Sequence, residues 1–84
     1  MSCQELSLLC LRVVADADPG VVARVLERFQ NLNVVPRRLV AESGVNGTFH
    51  IRVDIFGVPE PTLTLIAAKL GQVPSVVSAY WHRA

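Results

Sequence analysis

The chain has 84 residues, of which 51% are hydrophobic and 18% are charged, with a formal net charge of +1. This length predicts one domain over residues 1–84 and leaves no room for a separate catalytic domain. The near-neutral charge, with Arg37-Arg38 as the only adjacent basic pair, argues against electrostatic capture of nucleic acid. The apolar runs are short and interrupted by charged residues, so neither a membrane span nor a signal peptide is expected.

The two cysteines, Cys3 and Cys10, are predicted to lie on or just before one strand. Residues at that separation are roughly 20 Å apart on a strand, which is too far for a disulfide. Free thiols indicate a reducing compartment, so we expect a cytoplasmic protein. The sequence has no CxxC motif or Cys/His ligand set, and neither a metal nor another cofactor is expected.

The first part of the chain predicts a strand followed by an amphipathic helix. Residues 6–14 are almost wholly apolar, which is typical of a central strand. Asp18 has the side chain of a helix N-cap, and Pro19 suits the first helical position. The helix is expected to end at residues 31–33. Its apolar residues recur at helical spacing and form one stripe: Val22, Val25, Leu26, Phe29 and Leu32.

A β-hairpin is predicted next. Residues 34–43 contain a second strand, and Pro36 near its start favours an edge position. Asn46-Gly47 tolerates the positive φ that tight hairpin turns require. Residues 48–56 then alternate between two faces. The core face carries Phe49, Ile51, Val53 and Ile55, and the wetter face carries His50, Arg52 and Asp54.

A second helix and a last strand complete the chain. Residues 57–61 form a loop into a helix with Gly71 as its C-cap, and residues 76–81 form the strand. The helix has one apolar stripe: Leu63, Ile66, Ala67 and Leu70. The order βαββαβ predicts an α+β, ferredoxin-like sandwich, in which a four-stranded antiparallel sheet carries two helices on one face. The first and third strands are expected at the centre of the sheet.

No combination of nucleophile, base and acid is evident, so we predict that the protein is not an enzyme and has no catalytic residues. His50 and His82 could share a sheet face, but two histidines are more typical of exposed strand positions than of a metal site. Tyr80 and Trp81 fit an anchor for a partner and a cap on the core equally well. RNA-binding domains of this fold place aromatic residues on the outer faces of the central strands. Those faces here carry Leu6, Leu8, Cys10, Arg12, His50, Arg52 and Asp54, so RNA binding is not expected.

The segment Asp16-Ala17-Asp18-Pro19-Gly20-Val21-Val22-Ala23-Arg24-Val25-Leu26 resembles the start of an ACT domain, and the element order extends the resemblance over nearly the whole chain. ACT domains place a Pro-Gly pair and an apolar residue between the first strand and first helix. The resemblance implies a regulatory domain that binds an amino acid between two copies and relays the binding to an enzyme. The amides of Gly20 and Val21, at a helix N-terminus, favour a carboxylate. The ligand-binding candidates are Asp16, Ala17, Asp18, Pro19, Gly20, Val21 and Val35.

The candidate residues depart from those of ligand-binding ACT domains. Such domains often carry a polar residue two positions before the proline, where this chain has Ala17, and another at the start of the second strand, where it has Val35. Asp18 is interpreted as an N-cap that would repel an incoming carboxylate. A branch of short acetolactate synthase regulatory subunits is similar in length and also lacks these side chains, and the chain resembles that branch most.

We therefore expect a regulatory subunit that dimerises side by side through its second strand and associates with a catalytic subunit of a biosynthetic enzyme. Leu6, Leu8 and Cys10, facing outward, could pack against another sheet or a large subunit. Three alternatives stay open. They are an amino-acid sensor with its ligand in the loop at residues 16–21, a purely structural dimerisation module, and a small enzyme, which would need a polar cleft.

Overall fold

The computed structural model describes residues 8–84. Four antiparallel strands form one sheet in the order β2-β3-β1-β4, and both helices pack on the same face. The predicted ferredoxin-like sandwich is therefore confirmed, with β1 and β3 at the centre and β2 and β4 at the edges. Within the described part, no helix is long and apolar enough to cross a membrane. The elements are β1 (Leu8–Asp16), α1 (Val21–Asn31), β2 (Arg38–Ser43), β3 (Thr48–Phe56), α2 (Glu60–Leu70) and β4 (Val76–Arg83).

The core lies between the sheet and the two helices. Alternate residues of β1 and β3 meet the apolar stripes of α1 and α2, as the sequence periods of two and 3.6 require. Burying a large apolar side chain stabilises the fold by about 1.5–3 kcal/mol. The fully buried residues of this core include Leu9, Leu11 and Val13 of β1, Ile51, Val53 and Ile55 of β3, Val21, Val25 and Phe29 of α1, and Leu63, Ile66 and Leu70 of α2.

The hairpin between β2 and β3 turns as predicted. Asn46 and Gly47 have φ of 60° and 73°, and the Thr48 N–H donates to the carbonyl of Val45 at 3.3 Å. Two successive positive φ angles are typical of the type I′ turn that fits the twist of a hairpin. Gly44, just before the turn, is also constrained, because a Cβ there would lie 2.6 Å from Oγ1 of Thr48.

Several element boundaries differ from those predicted. β1 runs to Asp16, two residues further than expected, and Leu6 lies outside the described residues. β2 lies inside the predicted range but begins at Arg38, two residues after Pro36. Asn33, with a left-handed φ of 59°, redirects the chain between α1 and this strand. Cys3 also lies outside the described residues. β4 extends to Arg83, where the side chain pairs with Glu60 of α2.

Trp81 caps the core. Its ring is half-buried against the core, and its Nε1 donates to Oγ1 of Thr64 on α2 at 3.0 Å. Tyr80, the next residue along β4, lies on the opposite face of the sheet and is 51% exposed. Of the two interpretations of this aromatic pair, the structure therefore supports the core cap for Trp81.

Candidate functional site

The loop from Asp16 to Val21 lies at one end of the sheet, where β1 leads into α1. The backbone amide of Asp16 donates to the carbonyl of Ser75 at 2.8 Å. The amide of Ala17 donates to the carbonyl of Gly47 at 2.9 Å. These two bonds tie the loop to the start of β4 on one side and to the β2–β3 turn on the other. Six of the seven candidate residues therefore form one anchored segment.

Asp18 closes this loop on itself. Its carboxylate accepts a hydrogen bond from the Gly20 amide at 3.1 Å, and its carbonyl accepts one from the Val21 amide at 3.1 Å. α1 begins at Val21 with Gly20 at the N-cap position and no side chain capping it. The N-cap assignment of Asp18 is therefore wrong by two positions, because the carboxylate bonds an amide of the preceding turn. The two amides expected to hold a ligand carboxylate are already bonded within the chain.

A shallow cavity of about 230 Å³ lies beside the loop, between it and the end of β2. The lining residues are Ala17, Asp18, Pro19, Ser43 and Phe49. Sequence reasoning missed Ser43 and Phe49 as members of this site. Strand pairing could have revealed them, since Ser43 faces Phe49 in the β2–β3 register and Asp16 faces Thr48 in the β1–β3 register.

Val35 lies at the opposite end of the sheet from this cavity. It precedes Arg38, which is paired with Asp54 near the end of β3, whereas the loop adjoins the start of β3. The Val35 side chain is 85% exposed. Phe56, at the same end of the sheet, is 43% exposed, and the guanidinium of Arg37 lies 5.7 Å from its ring centre. Within one copy of the chain, Val35 and the loop therefore cannot contact the same ligand.

A larger cavity of about 430 Å³ lies over the outer face of the sheet, which the helices leave uncovered. Sequence reasoning did not identify this cavity, because its polar residues come from all four strands. The side chains that line it from the outer face are Arg12 and Val14 of β1, Arg38, Val40 and Glu42 of β2, His50 and Arg52 of β3, and Tyr80 of β4.

Cys10 lies in this outer face but is fully buried. Burial raises the pKa of its thiol, against the opposing effect of the nearby Arg52 and Arg12 guanidiniums. A thiol with a raised pKa is a poor nucleophile, because the thiolate is the reactive form. The expectation that Cys10 packs against a partner is wrong, since none of its surface is available. Leu8, which shares that expectation, is half-buried.

The two histidines on the outer face are too far apart to share a ligand. His50 is paired with Val14 and His82 with Cys10, so they stand two strands and four residues apart, or about 16 Å. Among residues 8–84 no three His, Cys, Asp or Glu side chains are grouped to hold a metal. Both nitrogens of His82 are engaged, with Nδ1 3.0 Å from the Arg83 carbonyl and Nε2 accepting from Arg12 Nε at 3.2 Å.

No family model matches the sequence, and no curated protein matches it. The fold has solved relatives. One is the ACT domain of a GTP pyrophosphokinase from Chlorobium tepidum, at 21% identity and a TM-score of 0.75 over 92% of this chain and 99% of that one. The fold is that of an ACT domain. An ACT domain protein from Streptococcus pneumoniae matches at 16% identity and a TM-score of 0.73, over 94% of this chain and 91% of that one.

The same ACT fold is similar to the C-terminal domain of the MgtC protein from Mycobacterium tuberculosis. That match has 17% identity and a TM-score of 0.77, and it covers all of this chain and 94% of the other. At these identities the comparisons establish the fold. The function has to be argued from the residues of this chain.

Proposed function

We propose that this protein is a non-catalytic, ACT-like regulatory subunit that dimerises and associates with the catalytic subunit of an amino-acid biosynthetic enzyme of the acetolactate synthase type. The observation that carries the proposal is the Asp18 loop. The Gly20 and Val21 amides both donate to Asp18. Asp18 is also the one charged residue among those that line the adjacent cavity. A loop of this kind favours a role in association over capture of a free amino acid. The acetolactate synthase type rests on the sequence resemblance.

The β2 edge supports the proposed dimer. Within residues 8–84, β2 pairs with β3 alone and leaves its other side open, and unpaired strand edges readily bond to another chain. Antiparallel pairing of two β2 edges extends each sheet to eight strands. It brings Val35 of one copy toward the loop of the other, because the two features lie at opposite ends of the same sheet. The exposed Val35 side chain would then be covered by the partner copy.

Sedimentation analysis tests this arrangement with a matched pair of variants. Val35→Lys and Val77→Lys each place a charge on an exposed valine, the first beside the β2 edge and the second on the β4 edge, where Val77 is 65% exposed. We expect the wild type to be a dimer, Val35→Lys to raise the dimer dissociation constant by about tenfold or more, and Val77→Lys to leave it unchanged. A catalytic acetolactate synthase subunit in the same cell should co-sediment with the wild type.

Three results would contradict the proposal. If the wild type is a monomer at micromolar concentration, the proposed dimer does not form. Loss of the dimer in Val77→Lys but not in Val35→Lys moves the interface to β4. If the dimer sediments independently of the catalytic subunit, the protein is a structural dimerisation module and not a regulatory subunit.

A free-standing amino-acid sensor is the second candidate, and the cavity beside the loop favours it. Ser43, a hydroxyl-bearing residue, and the apolar Phe49 line that cavity. In a β2-paired dimer the cavity would be closed by the partner copy near its Val35. A ligand there would have to find polar partners for its charged groups, because burying an unpaired ammonium or carboxylate costs several kcal/mol.

A further inference from the structure

The outer face of the sheet carries two arginines directly opposite each other. Arg12 of β1 and Arg52 of β3 are register partners at the centre of the sheet. In the same row, Val40 flanks Arg52 on β2 and Tyr80 flanks Arg12 on β4. Like charges that face each other across neighbouring strands destabilise a sheet unless another group compensates them.

Both guanidiniums are held in place through Nε. Arg52 Nε donates to Oδ1 of Asp54 at 3.0 Å, and Arg12 Nε donates to Nε2 of His82 at 3.2 Å. Asp54 is 7% exposed and the Arg52 side chain is 46% exposed, so the carboxylate is buried while the guanidinium stays open to solvent. Within residues 8–84, no oxygen accepts a hydrogen bond from the terminal Nη atoms of either arginine. The pair is therefore oriented while its terminal Nη–H donors stay available within the described residues.

The cavity above this pair has the charge and size of an anion site. Its volume of about 430 Å³ lies within the usual range for small-molecule pockets, roughly 300–1,000 Å³. Three arginines, Arg12, Arg38 and Arg52, line it with a single carboxylate, that of Glu42. Asp54, in the adjacent row, offsets part of the Arg52 charge. The cavity lining remains net positive.

We propose that this face binds a small phosphate monoester, with its phosphate between Arg12 and Arg52 and its organic part against Tyr80. A carboxylate has two oxygens and fits one guanidinium fork, whereas a phosphate monoester has three terminal oxygens and can bridge two forks. The exposed Tyr80 ring and the neighbouring Val14 offer an apolar surface for the organic part. This site lies on the outer face of the sheet, so the proposal does not rest on the function proposed for the loop.

Phenyl phosphate is a suitable probe, because it joins an aromatic ring to a phosphate dianion. In a ¹⁵N-resolved NMR titration at constant ionic strength, it should shift the Nε–H signals of Arg12 and Arg52 and the amides around Tyr80, with saturation. Inorganic phosphate should bind more weakly, and benzoate should not saturate. Arg12→Gln should weaken binding by about tenfold or more, because charge-assisted hydrogen bonds are lost. Arg12→Lys keeps the charge but not the fork and should also weaken it.

Arg24→Gln is the matched control, because Arg24 is exposed on α1 and its loss changes the net charge equally. Binding by this variant should equal that of the wild type. The proposal is overturned if phenyl phosphate shifts no signal with saturation, if Arg24→Gln weakens binding as much as Arg12→Gln, or if the shifts centre on residues 16–21. It is also overturned if benzoate competes equally, since carboxylate recognition would then explain the site.

Discussion

Cys10 combines an outward position on β1 with complete burial. Alternation along the strand correctly predicted its face, but it could not predict that the thiol is fully buried there. The pKa of the thiol is raised chiefly by desolvation, so protonated sulfur persists to a higher pH in the folded chain than in the unfolded one. We therefore expect the Cys10 thiol to react mainly when the chain unfolds and exposes it.

We predict that Cys10 reacts with a disulfide reagent at least about tenfold more slowly in the native protein than in urea, because access and the thiolate fraction both fall. A Cys3→Ser background isolates the signal. The absorbance of the released thiol measures the rate. The native rate should still be rising with pH where that of the unfolded chain has levelled off. Equal rates in both states would show that Cys10 is open to solvent.

The cluster of arginines on the outer face of the sheet could not be predicted from the sequence. Arg12, Arg38 and Arg52 are separated by 14 residues or more along the chain, and each reads alone as an ordinary solvated strand residue. Strand pairing alone makes them neighbours. The Arg37-Arg38 pair, by contrast, is adjacent in sequence, yet only Arg38 contributes to the cavity.

Among the elements, those with a strict period were predicted best. β3 has the bounds predicted, because its alternation is unbroken between the Asn46-Gly47 turn and the Gly57 loop. β2 lies within the range predicted to contain it, but its start was not fixed, since Asn33 carries a positive φ that the apolar pattern does not reveal. The loop residues of the candidate site were named from the sequence, whereas Ser43 and Phe49, which line the cavity beside the loop, were not. Ser43 reaches the cavity through the tertiary placement of the hairpin beside the loop.

The two faces of α1 should differ sharply in their contribution to stability. Phe29 is 1% exposed and lies in the core, whereas Leu26 is 42% exposed. Phe29→Ala should lower the free energy of unfolding by about 3–5 kcal/mol through lost burial and a residual cavity. Leu26→Ala should lower it by about 1 kcal/mol or less. Urea unfolding followed by circular dichroism measures both. Similar losses in the two variants would mean that Leu26 is covered in solution, for example by a partner.

The whole molecule is a thin sandwich with helices on one side of its sheet. A domain of this length has limited core to offset chain entropy. Within residues 8–84, two strand edges and one sheet face are left uncovered by other elements. The ACT fold was predictable because the order of elements leaves few compatible sheet topologies. Oligomeric state and partner depend on surfaces that no pattern within one chain specifies.

We predict that none of the standard amino acids at millimolar concentration raises the melting temperature of the protein, because the loop amides are already bonded. A ligand at a hundredfold excess over its dissociation constant would add about 2.7 kcal/mol of stability. For a domain of this size that corresponds to an upward shift on the order of 10 °C. Differential scanning fluorimetry detects such a shift easily. A clear shift with one amino acid would make the protein a sensor.

The bond from the Gly20 amide to Asp18 has a consequence for how such a module could be controlled. A carboxylate fixed two residues away competes with any free carboxylate at a very high effective concentration. In the proposed regulatory subunit, the Asp18 carboxylate would take the place of an effector's carboxylate, covalently attached and always present. A domain built this way would hold its enzyme in one state, and its influence would vary with how much of the subunit the cell makes.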